Sequence, residues 1–403
     1  MDLSSDQSSG LFSKFDAIVV GGGPAGLATA IALAQDGVAT ALVARKTPYS
    51  DNRTTALLGA SIDFLTRINV WPHCQSQAAA LRVMRLVDDT GRLIRAPEVR
   101  FSSEEISADT FGYNIENRLL MEAMERRAAE LAHLTRYDDT AASIEPDDSA
   151  VTVTTGNGDV LTASLVAGAD GRQSPCRQAA GITVKRRALD QSALTFNVGH
   201  TRPHHNTSTE FHTPHGPCVF VPLPGERASV VWVSTPDEAA RLAQLNNEDL
   251  GLAAERQSHS ILGRMVAEDG RHVFPLAIET PSAFAARRIA LVGEAAHVLP
   301  PIGAQGLNMG LRDGADLAEI VSRARAHGED LGADHVLSRY AAARRADVFS
   351  RTMAIDAANR SLLSDFLPAQ SIRALGLHLI GSVGPLRRFA MREGLAPWWR
   401  RAG

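Results

Sequence analysis

Cysteine is scarce in this chain. There are 3 in 403 residues, Cys74, Cys176 and Cys218, far apart and without a C-x-x-C pair. That set excludes a disulfide framework and a cysteine-built zinc site, and it suits a reducing cytoplasm. A surplus of basic charge is also missing: Lys and Arg number 41 against 45 Asp and Glu, a formal net charge of -4. A chain without a basic surplus is not expected to bind nucleic acid through its phosphates. The opening MDLSSDQSSGLFSK lacks the basic-then-apolar order of a signal peptide. No long apolar run survives inspection either. Ala17 to Gln35 is uncharged, but Gly21, Gly22, Gly23, Pro24 and Gly26 would break a membrane-spanning helix. The histidines at 200, 204, 205, 212 and 215 lack helical i, i+4 pairing and cysteine partners. They read as surface or pocket-lining residues, and no metal is expected. Internal repeats and low-complexity linkers are absent.

What is present is enough for two sub-domains around a buried core: 403 residues, 44% hydrophobic and 21% charged. Phe15 to Val20 forms a short apolar strand pattern, followed by GGGPAG, an apolar helical run from Leu27 to Ala34, a stop at Gly37, and a second strand pattern over Ala39 to Ala44. This is a βαβ unit with Gly21, Gly23 and Gly26 in the G-x-G-x-x-G positions. The first glycine permits the tight turn, the second lets a pyrophosphate approach the backbone, and the third lets helix and strand pack closely. The acid expected at the end of the second strand is missing: the position is Ala44 or Arg45, with no carboxylate before Asp51. Arg45 fits a 2′-phosphate, and a flavin whose ribose is held elsewhere fits equally.

A second strand–loop–helix layout lies at Arg288 to Val321. The apolar run Ile289 to Val292 ends at Gly293-Glu294, and small residues and prolines lead to a helix expected to start near Gly306-Leu307. Such a start presents backbone N–H groups and a positive dipole end to an anion. Between the two glycine clusters, GADGRQSPCR puts Asp170-Gly171 at a strand end, suited to sugar hydroxyls or to capping the helix that starts at Ser174. CVFVPLPGERASVVWVS reads as a hairpin turning at Pro224-Gly225-Glu226, part of a mostly antiparallel sheet. One helical stretch is expected over Asp237 to Val266 and another, charge-rich, over Val336 to Arg360. The tail ends Pro397-Trp398-Trp399-Arg400-Arg401, which suits a membrane interface or a helical tail packed on the protein.

GGGPAG, GADGR and VGEAAHVLPPIGAQGLNMGLRDGADLAE, in that order, resemble the flavoprotein monooxygenases of the para-hydroxybenzoate hydroxylase fold. RTTAL, FGYNIENRLL, and GPCVFVPLPG followed by VVW extend the likeness over nearly the whole chain, closest to the ubiquinone-biosynthesis hydroxylases of the UbiH/VisC-like group. The resemblance implies an α/β protein. Its Rossmann-like FAD-binding domain, a three-layer ββα arrangement, would comprise 1–80, 110–180 and 275–345. An inserted, mostly antiparallel substrate sheet would comprise 81–109 and 181–274, with a helical C-terminal region over 346–403.

FAD is the implied cofactor, with Gly21, Gly23 and Gly26 at its pyrophosphate and Arg53, Asn117 and Arg118 as further contacts. Asp170 belongs to the family's Asp-Gly motif, linked to both FAD and reduced nicotinamide. Where relatives carry Gly-Asp, this chain has Gly293-Glu294, one methylene longer toward the flavin's ribityl hydroxyls. Pro301, Gly303 and Gly306 would shape the loop at the flavin ring, and Gly306, Leu307 and Asn308 would turn the helix start toward it. His297 is open to either an acid/base role or simple packing. The implied activity is NAD(P)H-driven aromatic hydroxylation, with oxygen from O₂ delivered from the flavin C4a position to a polyprenylated phenol. Membership of a ubiquinone-biosynthesis complex and peripheral contact with the inner membrane from the cytoplasm are compatible with it. A monooxygenase acting on a soluble aromatic, a flavin reductase or dehydrogenase acting on an isoprenoid, and a non-catalytic FAD-binding scaffold would retain the same glycine motifs.

Overall fold

The computed structural model describes residues 12–46, 52–92, 95–301, 303–363, 376, 382 and 384–395. The Trp398-Trp399 end, Asp51 and Ile302 lie outside the described residues.

Among the described residues, three sheets organise the fold. In the first, strands run in the order β18 (Ala285–Ala286), β19 (Ile289–Leu291), β11 (Val160–Gly168), β1 (Phe12–Val20), β2 (Thr40–Val43) and β8 (Leu134–Tyr137). From β19 to β8 every pairing is parallel. β10 (Val151–Thr155) and β9 (Ala141–Pro146) add an antiparallel wing onto β11. The central strands are continuous apolar runs because helices cover them, as parallel sheets require. Ala17, Ile18, Val19, Leu42, Leu165 and Val166 are all fully buried.

Helix α1 (Pro24–Gln35) packs against α3 (Asn117–Ala129) and α7 (Gln305–Ala326). Where α1 crosses α7, the α7 glycines are a packing requirement. A methyl on Gly310 would lie 3.1 Å from the Ala25 Cβ, and one on Gly314 only 2.4 Å from Thr29 Oγ1. Small residues at the crossing let α1 and α7 approach closely.

The second sheet has the order β16 (Met265–Ala267), β12 (Val184–His200), β15 (Arg227–Ser234), β14 (Gly216–Leu223), β13 (Thr207–Thr213), β5 (Val83–Asp88) and β6 (Val99–Ser102), with β17 (His272–Pro281) also on β12. All its pairings are antiparallel except β13 with β5. One face carries Leu194, Phe196, Phe211, Phe220, Val230 and Trp232 in a second core, closed by Leu242 of α5 (Pro236–Ala243) and Leu250 of α6 (Asn247–Gln257). The helical stretch expected over Asp237 to Val266 is thus two helices and the strand β16. The chain restarts at Asn246, whose side chain accepts the Asp249 N–H at 2.8 Å and caps α6.

The third sheet, β3 (Thr54–Leu58), β7 (Gly112–Glu116) and β4 (Ala79–Leu81), joins the other two. Asn114 of β7 donates to the Pro222 carbonyl at 2.9 Å and to Ser229 Oγ at 3.2 Å, both on the second sheet. The remaining helices are α2 (Gly59–Arg67), α4 (Pro175–Ala179), α8 (Asp334–Leu363) and α9 (Gly384–Leu395). Among the described residues no helix is long and apolar enough to cross a membrane.

Candidate functional site

The turns after β1, β11 and β19 lie side by side at the carboxyl ends of neighbouring parallel strands, where open α/β sheets place their ligands. Main-chain bonds tie the first to β2 and lock the three together: the Gly21 N–H donates to Val43 O at 3.0 Å, Ala169 N–H to Val20 O at 2.8 Å, and Val292 N–H to Gly168 O at 2.9 Å.

The three fingerprint glycines separate by their surroundings. Gly21 has φ +114°, and a Cβ there would lie 2.2 Å from Ala169 O. A Cβ on Gly26 would lie 2.1 Å from Gly21 O. Both glycines are demanded by the protein's own backbone. Gly23 is different: nothing lies within 4 Å of where its Cβ would sit. It precedes α1, and no side chain caps that helix. Gly306, in the first turn of α7, also has open space beside it, and α7 likewise lacks a side-chain cap. By contrast Ser174, Thr235 and Asn246 cap α4, α5 and α6. Helix starts carry unsatisfied N–H groups and partial positive charge. The open, uncapped starts of α1 and α7, together with the space at Gly23, therefore fit an elongated anionic cofactor such as FAD.

The other expected contacts fall into two groups. Arg53 and Asn117 are brought together: the Asn117 N–H donates to Arg53 O at 2.8 Å, and Thr55 Oγ1 donates to Asn117 Oδ1 at 2.6 Å. The Arg53 guanidinium lies 5.6 Å from the Phe274 ring centroid. Arg118 turns outward to Glu122 at 2.8 Å. The Asp170 carboxylate accepts the Cys176 N–H at 2.8 Å and the Ser174 hydroxyl, so it fixes the start of α4. Glu294 is 61% exposed at its side chain and lies 3.5 Å from Arg172. The end of β2 has no acid, but Asp138 at the end of β8 accepts the Lys46 N–H at 2.6 Å.

In the loop before α7, expected at the flavin ring, Pro301 is half-buried, and Gly303 is exposed with φ +64°. Leu307 is half-buried in the first turn of α7. Asn308 is fully buried, and its side chain is engaged with the protein backbone. Its Oδ1 accepts the Leu58 N–H at 2.9 Å, while its Nδ2 donates to Ala56 O at 2.8 Å and to Ala304 O. It fastens the start of α7 to β3.

Two features were not legible from motifs. Arg177 donates to Ala295 O at 2.9 Å and to Arg172 O at 2.6 Å, tying the turn after β11 to the turn after β19. Beneath the second turn lies a buried ionic cluster. Asp313 accepts the Gly293 N–H at 2.8 Å and pairs with His297 Nε2 at 2.7 Å. Arg344 of α8 reaches Asp313, Asp316 and Asp347, and Arg312 adds a 2.9 Å contact to Asp347. Burial alone would raise the Asp313 carboxyl. Arg344, His297 and the Gly293 N–H together hold it below the usual carboxylate range. His297, 3% exposed, is a packed member of this cluster.

Comparison with known proteins agrees with this geometry. The family model described as "FAD binding domain" matches residues 14–353. The chain is 32% identical over 387 residues to ubiquinone hydroxylase UbiL of Rhodospirillum rubrum, covering 94% of this chain and 89% of that one. It is 31% identical to the 3-demethoxyubiquinol 3-hydroxylase of Escherichia coli over 94% and 97% of the two chains. Its fold superposes on a p-nitrophenol 4-monooxygenase from Pseudomonas putida with a TM-score of 0.78 at 22% identity, covering 96% and 99%. With a family match spanning most of its length, the chain belongs to the FAD-binding domain family.

Proposed function

We propose that this protein is an FAD-dependent monooxygenase that hydroxylates the ring of a polyprenylated phenol in ubiquinone biosynthesis. The observation that carries the reading is the near-full-length likeness, at 31% and 32% identity, to two enzymes named for ubiquinone-pathway hydroxylation. When bound and reduced by NAD(P)H, FAD would supply the activation of O₂, chemistry that no side chain provides.

The chain's own tasks are binding, orientation and exclusion of water. The start of α1 would hold the pyrophosphate, with Gly23 leaving room for it. Arg53 and Asn117 would flank the cofactor from the third sheet. The N–H groups of Gln305, Gly306 and Leu307 would face the negative charge of the reduced ring. Asn308 and Asp313 hold that helix start and the Gly293 turn in place from within the protein.

A phenol carrying a long isoprenoid chain partitions into the bilayer, so a peripheral membrane site for the enzyme belongs to this reading. Helix α9 offers a compatible face: Arg388 and Arg392 are exposed beside Phe389, itself 54% exposed, while Arg387 anchors the helix to Glu105. The test is mass spectrometry of quinone intermediates in cells lacking this protein. Accumulation of an under-hydroxylated polyprenylphenol is expected. Unchanged ubiquinone would sink the pathway assignment. Purified protein whose bound flavin is not reduced by NAD(P)H in the presence of substrate would favour a scaffold role.

A further inference from the structure

The second sheet turns one face toward the FAD-binding sheets. On it, Asn197 donates to Asn52 O at 2.9 Å and Ser229 meets Asn114. Alternate residues of a strand share a face. The next cross-strand row on this face is therefore Thr195, Val231, Val219, Glu210, Leu86 and Val99, paired in register across six strands. On one side of the row, β7 covers Ser229 and Pro222. On the other, α8 reaches the sheet through Asn359, which donates to Gln191 at 3.0 Å. The row between them stays only half-buried at Thr195, Val231, Val219, Glu210 and Leu86. It forms an apolar strip with one carboxylate in it.

That carboxylate is organised. Glu210 Oε1 lies 3.0 Å from His212 Nε2, with side-chain exposures of only 16% and 11%. Among the described residues His212 is the polar partner of Glu210, and Oε2 has none. Thr195 Oγ1, farther along the same row, is buried without a hydrogen-bond partner. A half-buried acid with one oxygen oriented by a histidine and the other free is poised to accept a proton or hydrogen bond. In an apolar strip its natural partner is the single polar group of an otherwise greasy molecule.

We infer that Glu210 is the acceptor for the ring hydroxyl of the prenylphenol, with His212 as its positioning residue and the row from Val219 to Val99 as a floor for the apolar substrate. This deepens, and rests on, the functional reading above. A free phenolic proton makes the ring a poorer nucleophile. As the ring carbon takes up one atom of O₂, the O–O bond breaks and the other atom ends as water with two electrons from NAD(P)H. The phenolic O–H bond breaks and its proton passes to Glu210 Oε2, while the His212 Nε2–H stabilises Oε1. On rearomatisation the displaced ring hydrogen leaves as a proton to solvent, and Glu210 returns its proton to the phenol oxygen. The cycle leaves Glu210 unchanged.

The experiment compares a farnesylated phenol with its O-methyl ether, which has no proton to give. Binding to the FAD-loaded wild type, Glu210→Gln and His212→Asn is measured by calorimetry in detergent, and hydroxylated product is counted per flavin reoxidised. The wild type is expected to bind the phenol at least about ten-fold tighter than the ether. Glu210→Gln should level the two ligands and cut phenol hydroxylation about a hundred-fold with flavin content intact. His212→Asn should fall between. Glu210→Gln keeping the wild-type preference, or weakening both ligands equally, overturns the inference. So does a wild type that binds neither ligand. A wild type that discriminates through Glu210 but makes no product would support the phenol site and refute the monooxygenase reading, so the two failures are distinct.

Discussion

Arg344 of α8 lies fully buried with its Nε 2.5 Å from Asp313 Oδ1, an ion pair in close approach whose N–H is not aligned as a hydrogen bond. Its other nitrogens meet Asp316 at 2.8 Å and Asp347 at 2.9 Å. Removing one partner of such a pair leaves buried charge uncompensated, at a cost of about 3–5 kcal/mol. Arg344→Ala should therefore lower the unfolding free energy from urea titration by that amount and weaken FAD retention, because Asp313 also holds the Gly293 turn. A variant with wild-type stability would show that the cluster is not coupled to the site.

The same cluster sets a pH dependence. The folded Asp313 carboxyl is held below its ordinary value of 3.8, so its stabilising contribution is present above that value and is lost as pH falls through the lower folded value. Stability should hold from neutral pH to about pH 5 and decline below about pH 4. Asp313→Asn should make the decline shallower by one proton. An unchanged slope in urea titrations from pH 6 to pH 2 would contradict this.

The fingerprint glycines make a separable prediction. Gly26→Ala forces a methyl to within 2.1 Å of the Gly21 carbonyl, so the apoprotein itself should lose stability by at least about 1–3 kcal/mol. Gly23→Ala meets no protein atom within 4 Å. Its apoprotein melting temperature should be unchanged while FAD affinity falls roughly ten- to hundred-fold, the same overpacking felt by the cofactor alone. Equal effects of the two changes on the apoprotein would refute the division of roles.

Glu294 can be tested in the same way. Its exposed pairing with Arg172 contributes about 0–1 kcal/mol. Glu294→Ala should leave the apoprotein's stability nearly unchanged and raise the FAD dissociation constant. Unchanged FAD affinity would remove Glu294 from the cofactor's contacts and leave it a surface partner of Arg172.

The contrast between these residues explains what could be read in advance. Gly21, Gly26 and the strand–loop–helix around Gly293 were legible because backbone geometry restricts the residue types that fit, leaving a local pattern. Asn308 sits at the expected place, but its side chain bonds to β3, a partner 250 residues away that no local pattern encodes. Arg344 looked like one charge on a charge-rich helix, since periodicity does not distinguish a solvated arginine from one buried against three aspartates. Glu210 and His212 alternate with Thr209 and Phe211, a usable hint of a two-faced strand. Which face meets the FAD-binding sheets depended on Asn197 and Ser229 contacts made across the fold. The break at Asn246 was carried by a capping side chain within a stretch whose composition stays helical.

The order of strands in the first sheet has a consequence for biosynthesis. β1 and the Gly21 turn leave the ribosome well before β11 and β19, yet β1 pairs with β11, β11 pairs with β19, and the Gly293 turn depends on α7 and α8. In the nascent chain β1 can pair with β2 at once, but the second half of the cradle, the Gly293 turn, waits for α7 and α8. A site that draws on both halves is complete only after α8 is made, and the apolar β1–β2 segment waits longest for the covering β11 and α7.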